Sequence, residues 1–123
     1  MKLTKNFTRE EFDCRDGTRV PDDLFCNLCL LVTNLQTLRD EIGIPLFISS
    51  GYRTKRYNKA VGGAKSSQHL LARAADLSTK QLNPLQLAAV IERLIKEKKM
   101  LEGGVGVYRG FVHYDVRGIR ARW

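Results

Sequence analysis

The sequence has little of several features that define particular protein classes. It contains only three cysteines, three prolines, one tryptophan and two histidines in 123 residues. An odd number of cysteines argues against the disulfide framework of small secreted domains. The longest apolar stretch, near Leu28 to Val32, is far shorter than the roughly 20 residues that a membrane span needs. We therefore predict neither a disulfide-held scaffold nor a membrane-spanning helix.

The N-terminus also lacks the pattern of a signal peptide. Residues 1–6 carry lysines, but no apolar segment follows them. We therefore expect a chain that is synthesised in the cytoplasm, without a signal peptide. If its substrate lies outside the cell, the protein must reach it after release or export.

The spacing of Cys26 and Cys29 resembles a CxxC motif. The pair lies within an apolar helical pattern, in which positions i and i+3 share a face. A zinc site would need two more ligands nearby, and only Cys14 is available. We therefore interpret the cysteines as small buried apolar side chains.

The charge balance is strongly basic, with a formal net charge of +8. This excess favours an anionic partner, which could be nucleic acid, a membrane surface or an anionic cell-wall polymer. Simple solubility is the plainer alternative. Specific nucleic-acid binding is not favoured, because the sequence has neither a helix-turn-helix pair nor aromatic residues interleaved with basic ones.

Residue periodicity predicts a single α+β domain over residues 1–123. Apolar residues at helical spacing predict a long helix from Pro21 to Ile42, ended by Gly43, and a second over residues 85–99. Short β-rich runs predict a small, mostly antiparallel sheet. These runs are residues 46–49, 73–78, 105–108 and 111–116.

The residue types that suit metal chemistry lie around the two histidines. Asp76 follows two alanines in an apolar segment, where an unpaired carboxylate would be costly to bury. His69, Asp76 and His113 together form a set typical of catalytic zinc, which takes three protein ligands and keeps a fourth position for water. The alternative is that Asp76 pairs with one of the many arginines.

The last long β-rich segment places polar residues on one face. His113, Asp115 and Arg117 alternate, so their side chains point the same way along a strand. The intervening residues are apolar or aromatic. This row of imidazole, carboxylate and guanidinium indicates a functional face, with a solvent-exposed polar face as the alternative.

Three blocks of residues, in the right order, resemble the zinc D-Ala-D-Ala peptidase family. Ser67-Gln68-His69 followed by Ala74-Ala75-Asp76 is similar to the family motif Ser-x-His-x-x-Gly-x-Ala-x-Asp. Two further blocks are similar to those that follow and precede this motif, namely 111–118 with 121–123, and 50–53 with 57–58. The resemblance covers about residues 44 to 123. Residues 1–43 resemble, less specifically, the N-terminal region of phage-type and prophage-type members.

The resemblance implies one zinc ion held by His69, Asp76 and His113. It implies the small α+β fold shared with hedgehog-type domains, with residues 1–43 as a helical N-terminal region and 44–123 as the catalytic core. The substrates would be peptidoglycan peptides that contain D-amino acids, cut by a carboxypeptidase or an endopeptidase. We expect the protein to act as a monomer.

The sequence departs from the family pattern at two positions. The motif glycine is Ala72, which needs only a compatible backbone angle. Many members place an acid three residues before the last histidine ligand, where this chain has Gly110. Asp115 is the natural substitute as general base, since it faces the same way as His113. It could instead orient a ligand histidine.

Four residues are predicted on the substrate side of the site, namely Arg53, Ser67, Gln68 and Arg117. The resemblance implies that Arg53 contacts the substrate or the developing oxyanion, and a guanidinium also suits a substrate carboxylate. Ser67 and Gln68 are expected to shape their loop. The predicted function is zinc-dependent hydrolysis of a peptide bond in peptidoglycan. Because Gly110 replaces an acid, a domain that binds peptidoglycan without cutting it stays open as an alternative.

Overall fold

The fold is described by a computed structural model of residues 1–123. Its sheet has five strands in the order β1-β2-β4-β3-β5. They are β1 (Phe47–Ser50), β2 (Ala74–Ser78), β3 (Gly104–Val107), β4 (Val112–Asp115) and β5 (Ala121–Arg122). All neighbouring strands are antiparallel except β3 and β5, which are parallel. The predicted α+β class with a small, mostly antiparallel sheet is confirmed.

Three α-helices accompany the sheet: α1 (Phe25–Ile42), α2 (Lys55–Ala60) and α3 (Pro84–Lys96). Short 3-10 helices cover Arg9–Phe12, Asp22–Leu24 and Gln68–Leu71. Helix α3 packs on β3 and β4, and α1 packs on α3. None of the helices combines the length and the apolar character that crossing a membrane requires.

The ends of the two long helices follow from local sequence. Gly43 adopts a left-handed conformation with φ 67° and ends α1, which glycine does without steric cost. Helix α3 begins with a capping box between Asn83 and Gln86, and Pro84 occupies its first turn, where a missing N–H is harmless. The predicted helices differ at their ends, since Asp22–Leu24 is a 3-10 turn and α3 stops at Lys96.

The core lies between the helices and the sheet. Helix α1 buries leucines at helical spacing, among them Leu28, Leu31 and Leu35, and β4 buries Val112 and Tyr114 on the same side. The predicted division of β4 into an apolar and a polar face is therefore confirmed.

The expectation for the cysteines is wrong in part. Cys14 is buried, but Cys26 is exposed and Cys29 only half-buried. Cys26 is two residues from the buried Leu28, and two positions along an α-helix correspond to about 200°, so its side chain lies on the opposite face. All three thiols are free.

The N-terminal region supports the part of the chain that carries the site. The N–H of Tyr52 donates to the carbonyl of Phe12 at 2.8 Å. A Cβ added at Gly51 would lie 2.8 Å from the Cα of Phe12, so only glycine permits this contact. Phe12 itself is fully buried. Residues 1–43 therefore fix the backbone at Gly51, directly before the block that contains Arg53.

Candidate metal centre

His69, Asp76 and His113 converge although they come from three different elements. His69 lies on the 3-10 helix Gln68–Leu71, Asp76 on β2 and His113 on β4, where it is the register partner of Asp76. All three are buried, and one potential ligand atom from each lies within 4.8 Å of the others. The structure thus brings together the three residues that the sequence predicts as metal ligands.

Each histidine is oriented by a hydrogen bond through one ring nitrogen. His69 Nδ1 lies 2.7 Å from the carbonyl oxygen of Gly51, so this nitrogen carries the proton and donates it. His113 Nε2 lies 2.7 Å from Oδ2 of Asp115. The nitrogens left for a metal are therefore Nε2 of His69 and Nδ1 of His113.

Two of the three spacings between these atoms are close to those around a tetrahedral ion. Oδ1 of Asp76 lies 3.2 Å from Nε2 of His69 and 3.4 Å from Nδ1 of His113. Zinc bound to nitrogen and oxygen at about 2.0–2.2 Å in tetrahedral geometry sets its ligand atoms about 3.3–3.6 Å apart. The donor set, two imidazoles and one carboxylate, is also one that catalytic zinc uses.

The charges of the triad depend on one another. Burial alone would raise the pKa of Asp76, but hydrogen bonds with His113 and His69 lower it to about 2. Burial alone would lower the pKa of His113, but Asp115 and Asp76 accept hydrogen bonds from it and raise its pKa above the usual value. In the metal-free protein these hydrogen bonds therefore favour an ionised Asp76 and a protonated His113.

Zinc binding is therefore expected to release a proton. Zinc needs Nδ1 of His113 unprotonated, while Asp76 is ionised down to a pH of about 2. We expect zinc affinity to fall as the pH drops through the pKa of His113, which is raised above the ordinary value of 6.5. Calorimetry in buffers of different ionisation enthalpy measures the protons released. If no proton were released at a pH equal to the ordinary histidine pKa of 6.5, His113 would be neutral before zinc binds.

Asp115 is buried behind His113 and has all its acceptor positions filled. Its Oδ1 accepts the N–H of Gly104 at 2.9 Å and two N–H groups of Arg117, and its Oδ2 accepts from His113 and Arg117 at 2.7 Å. Burial would raise the pKa of Asp115, but these hydrogen bonds hold it well below its usual range. Asp115 does not line the cleft. This position does not suit a general base, which must reach the attacking water.

Two glycines of β3 make room for the groups around His113. A Cβ at Gly104 would lie 2.3 Å from Oδ2 of Asp115, and one at Gly106 would lie 2.4 Å from Nε1 of Trp123. Interior strand glycines often mark such a close approach. Sequence reasoning missed both positions, although Gly-x-Gly within a β-rich segment is a visible signal.

Arg53 lies next to the triad and is held by three partners. Its Nη2 donates to Oδ2 of Asp76 at 3.2 Å, its Nε to Oγ of Ser50 at 3.1 Å and its Nη1 to Oδ1 of Asn58 at 3.2 Å. The pairing of Asp76 with an arginine does not exclude the metal site, because one carboxylate oxygen faces the histidines and the other pairs with Arg53. A guanidinium in this position can donate to an oxygen beside the metal site.

The triad opens into a cleft of about 500 Å³. Ser67 and Gln68 line it, together with Arg117. Ser67 Oγ accepts the N–H of His69 at 3.2 Å and so caps the 3-10 helix, which shapes the loop as expected. Oε1 of Gln68 is buried without a hydrogen-bond partner. Asp76 is the only acidic side chain among the residues that line the cleft.

Aromatic residues form one wall of this cleft. Trp123 lies with its ring centre 4.9 Å from that of His113, and its Nε1 donates to Oη of Tyr108 at 2.7 Å. The guanidinium of Arg117 lies 5.5 Å from the centre of the Trp123 ring. Tyr108 and Phe111 stack with their ring centres 4.5 Å apart.

The two departures from the sequence motif have different consequences. Ala72 adopts a left-handed conformation with φ 55° at the end of its 3-10 helix. Alanine tolerates this angle less well than glycine, but the site forms nevertheless. Gly110 is exposed and brings no acid to the cleft.

Comparison with known proteins identifies the family. A family model described as Peptidase M15 matches residues 5–115. No curated protein matches the chain. The matched region includes the whole triad and both histidine contacts described above, and M15 metallopeptidases depend on zinc. The chain therefore belongs to the peptidase M15 family of metallopeptidases.

Proposed function

We propose that this protein hydrolyses a peptide bond in bacterial peptidoglycan, within a D-amino-acid-containing stem peptide or cross-link. The observation that carries the proposal is the triad of His69, Asp76 and His113, whose potential ligand atoms lie within 4.8 Å of one another in an open cleft. Membership of the M15 family supports peptidase chemistry. The wall substrate is inferred from the resemblance to D-Ala-D-Ala peptidases.

His69, Asp76 and His113 would hold the zinc ion. Zinc in such a site lowers the pKa of a bound water towards neutrality and so supplies a nucleophile. Arg53 is already fixed by Ser50, Asn58 and Asp76. Its terminal nitrogens keep further N–H groups that can stabilise negative charge on the carbonyl oxygen of the scissile bond.

We propose that Asp115 orients His113 and does not act as the base. Its Oδ2 accepts from Nε2 of His113 at 2.7 Å, which would leave Nδ1 to bind the metal. Arg117 and the backbone of Gly104 hold the carboxylate in place. A buried carboxylate that already accepts this many hydrogen bonds has no free position for the proton of a water molecule.

The remaining cleft residues suit an anionic peptide. Gln68 lines the cleft and brings a side-chain amide to it, a group that can hydrogen-bond a peptide. Arg117 lines the cleft with a guanidinium that is about one-third exposed, and it can attract a substrate carboxylate. We propose that a monomer suffices, since all these groups come from one chain, and that the protein acts on the wall after release or export.

A peptidoglycan-binding domain without activity is the second candidate. It is favoured by one observation, namely that no acidic side chain other than Asp76 lines the cleft. A metal site can also stabilise a fold without catalysing a reaction.

Digestion of purified peptidoglycan separates the two candidates. We expect the metal-free protein to release no new amino groups, and one equivalent of zinc to start their release, because the water nucleophile depends on the ion. Mass spectrometry of the products identifies the bond. Full zinc binding without any product would favour the binding domain, and equal hydrolysis with and without zinc would reject both the metal mechanism and the site.

A further inference from the structure

A long stretch of the sequence carries positive charge without a single acid. No aspartate or glutamate occurs from residue 42 to residue 75. The cations in this stretch are Arg53, Lys55, Arg56, Lys59, Lys65 and Arg73. Arg53 belongs to the metal centre. The others are available for a role that the triad does not explain.

Three of these cations surround one groove. Lys55, Lys59 and Lys65, here called the flank lysines, line a cavity of about 480 Å³ beside α2. All three are exposed, and none forms an ion pair. Lys55 and Lys59 are four residues apart on a helix, where like charges repel each other. An anion bound between them would relieve this repulsion.

The groove lies directly behind one wall of the catalytic cleft. Gly63 lines both cavities. Asn58 braces the loop between them, since its Nδ2 donates to the carbonyl of Ala64 and its Oδ1 accepts from Arg53. A partner held in the groove therefore lies one loop away from the cleft.

The chemistry of the groove favours a flexible chain of phosphates. Its polar lining is cationic apart from Asn58, and no aromatic side chain lines it. Single-stranded nucleic acids are usually held by stacking on aromatic residues, which this groove lacks. Arg56 lines a different cavity, together with Asp16, so it does not contribute to this groove.

We propose that the flank lysines bind an anionic phosphodiester polymer of the bacterial wall. The polymer would hold the protein beside the peptides that the cleft is proposed to cut. The biological role of the groove therefore rests on the proposed function. Binding itself needs only the three ammonium groups. It is therefore measurable on metal-free protein.

The test compares two triple variants of the metal-free protein. One replaces the flank lysines by Lys55→Gln, Lys59→Gln and Lys65→Gln. The matched control replaces Lys96, Lys98 and Lys99, which are also exposed and lie near the end of α3. Both variants remove three positive charges, and the control additionally loses the exposed ion pair between Lys99 and Glu97. Binding to purified wall teichoic acid is measured over a series of salt concentrations.

We expect the flank variant to bind the polymer on the order of tenfold more weakly or worse. The slope of log affinity against log salt concentration should become shallower, by the equivalent of up to about three phosphate contacts. The control should retain most of the affinity. Equal weakening of both variants would show that net charge alone attracts the polymer, and would overturn the proposal. The proposal would also be overturned if the wild type did not bind the polymer. The same holds if the wild type bound DNA with similar affinity and the flank variant lost that affinity to the same extent.

Peptidoglycan digestion keeps the two hypotheses apart. A protein that digests peptidoglycan but does not bind the polymer contradicts only the polymer site. A protein that binds the polymer through the flank lysines but releases no peptide contradicts only the proposed hydrolysis.

Discussion

Replacing His69 by alanine is expected to abolish both zinc binding and peptide hydrolysis. His69 supplies one of three ligands, and its Nε2 lies 3.2 Å from Oδ1 of Asp76. Without it the site keeps only Asp76 and His113, which is too few for a catalytic zinc site. Metal analysis of the purified variant and its digestion of peptidoglycan measure the two losses, with activity expected at the background level.

Gln68→Ala serves as the matched control for this experiment. Gln68 is the preceding residue on the same 3-10 helix, and its side chain is not part of the triad. We expect this variant to bind zinc as the wild type does, whatever happens to substrate binding. Thermal unfolding of both metal-free variants checks that each is folded. Wild-type zinc content in a folded His69→Ala variant would refute the assignment of this ligand.

Substituting Asp115 by asparagine is expected to weaken zinc binding by about 10- to 100-fold. The amide cannot replace the charged acceptor that holds Nε2 of His113 and two groups of Arg117. Loss of these acceptors inside the core should also lower the free energy of unfolding by about 1–3 kcal/mol. Competition with a zinc chelator gives the affinity, and denaturant unfolding gives the stability.

The activity of this variant at saturating zinc separates the two roles of Asp115. A residue that orients His113 affects metal affinity, so kcat should recover substantially once the site is filled. A general base contributes to the chemical step itself, so kcat would stay low even at full occupancy and unchanged affinity. Glu102→Gln is the control, because Glu102 also pairs with arginines but lies outside the cleft.

Much of the fold follows from local patterns in the sequence. The leucine spacing of α1 and the capping box of α3 indicate these helices directly, because both depend on neighbouring residues. Strand β5 was not predicted. It is only two residues long and pairs with β3 in parallel, so it has no pattern of its own and exists through a contact distant in sequence.

The three candidate metal ligands were predicted mainly from the family resemblance, and the residues by themselves made the site only possible. Only two histidines exist, and a carboxylate in an apolar strand needs a partner. The register of β2 and β4 then places Asp76 opposite His113. The role of Asp115 could not be predicted from its position in the strand. Alternation determines the face of the sheet on which a side chain lies, but not how deeply that side chain is buried. Its full burial depends on Gly104 and Arg117 packing around it.

The N-terminal region shows a similar limit. Its sequence does not show that Phe12 packs on Gly51 and thereby positions the carbonyl that orients His69. Contacts of this kind join residues far apart in the chain, and no local periodicity reports them.

The central claim is zinc-dependent hydrolysis of a peptide bond at this site. Digestion in water labelled with heavy oxygen tests it most directly. Purified peptidoglycan is digested by the zinc-loaded wild type and by His113→Ala in water labelled with heavy oxygen, and the released peptides are analysed by mass spectrometry. We expect one heavy oxygen in each new carboxylate with the wild type, and no product with the variant. Zinc bound by the wild type without any labelled product, or equal labelling by both proteins, would contradict the claim.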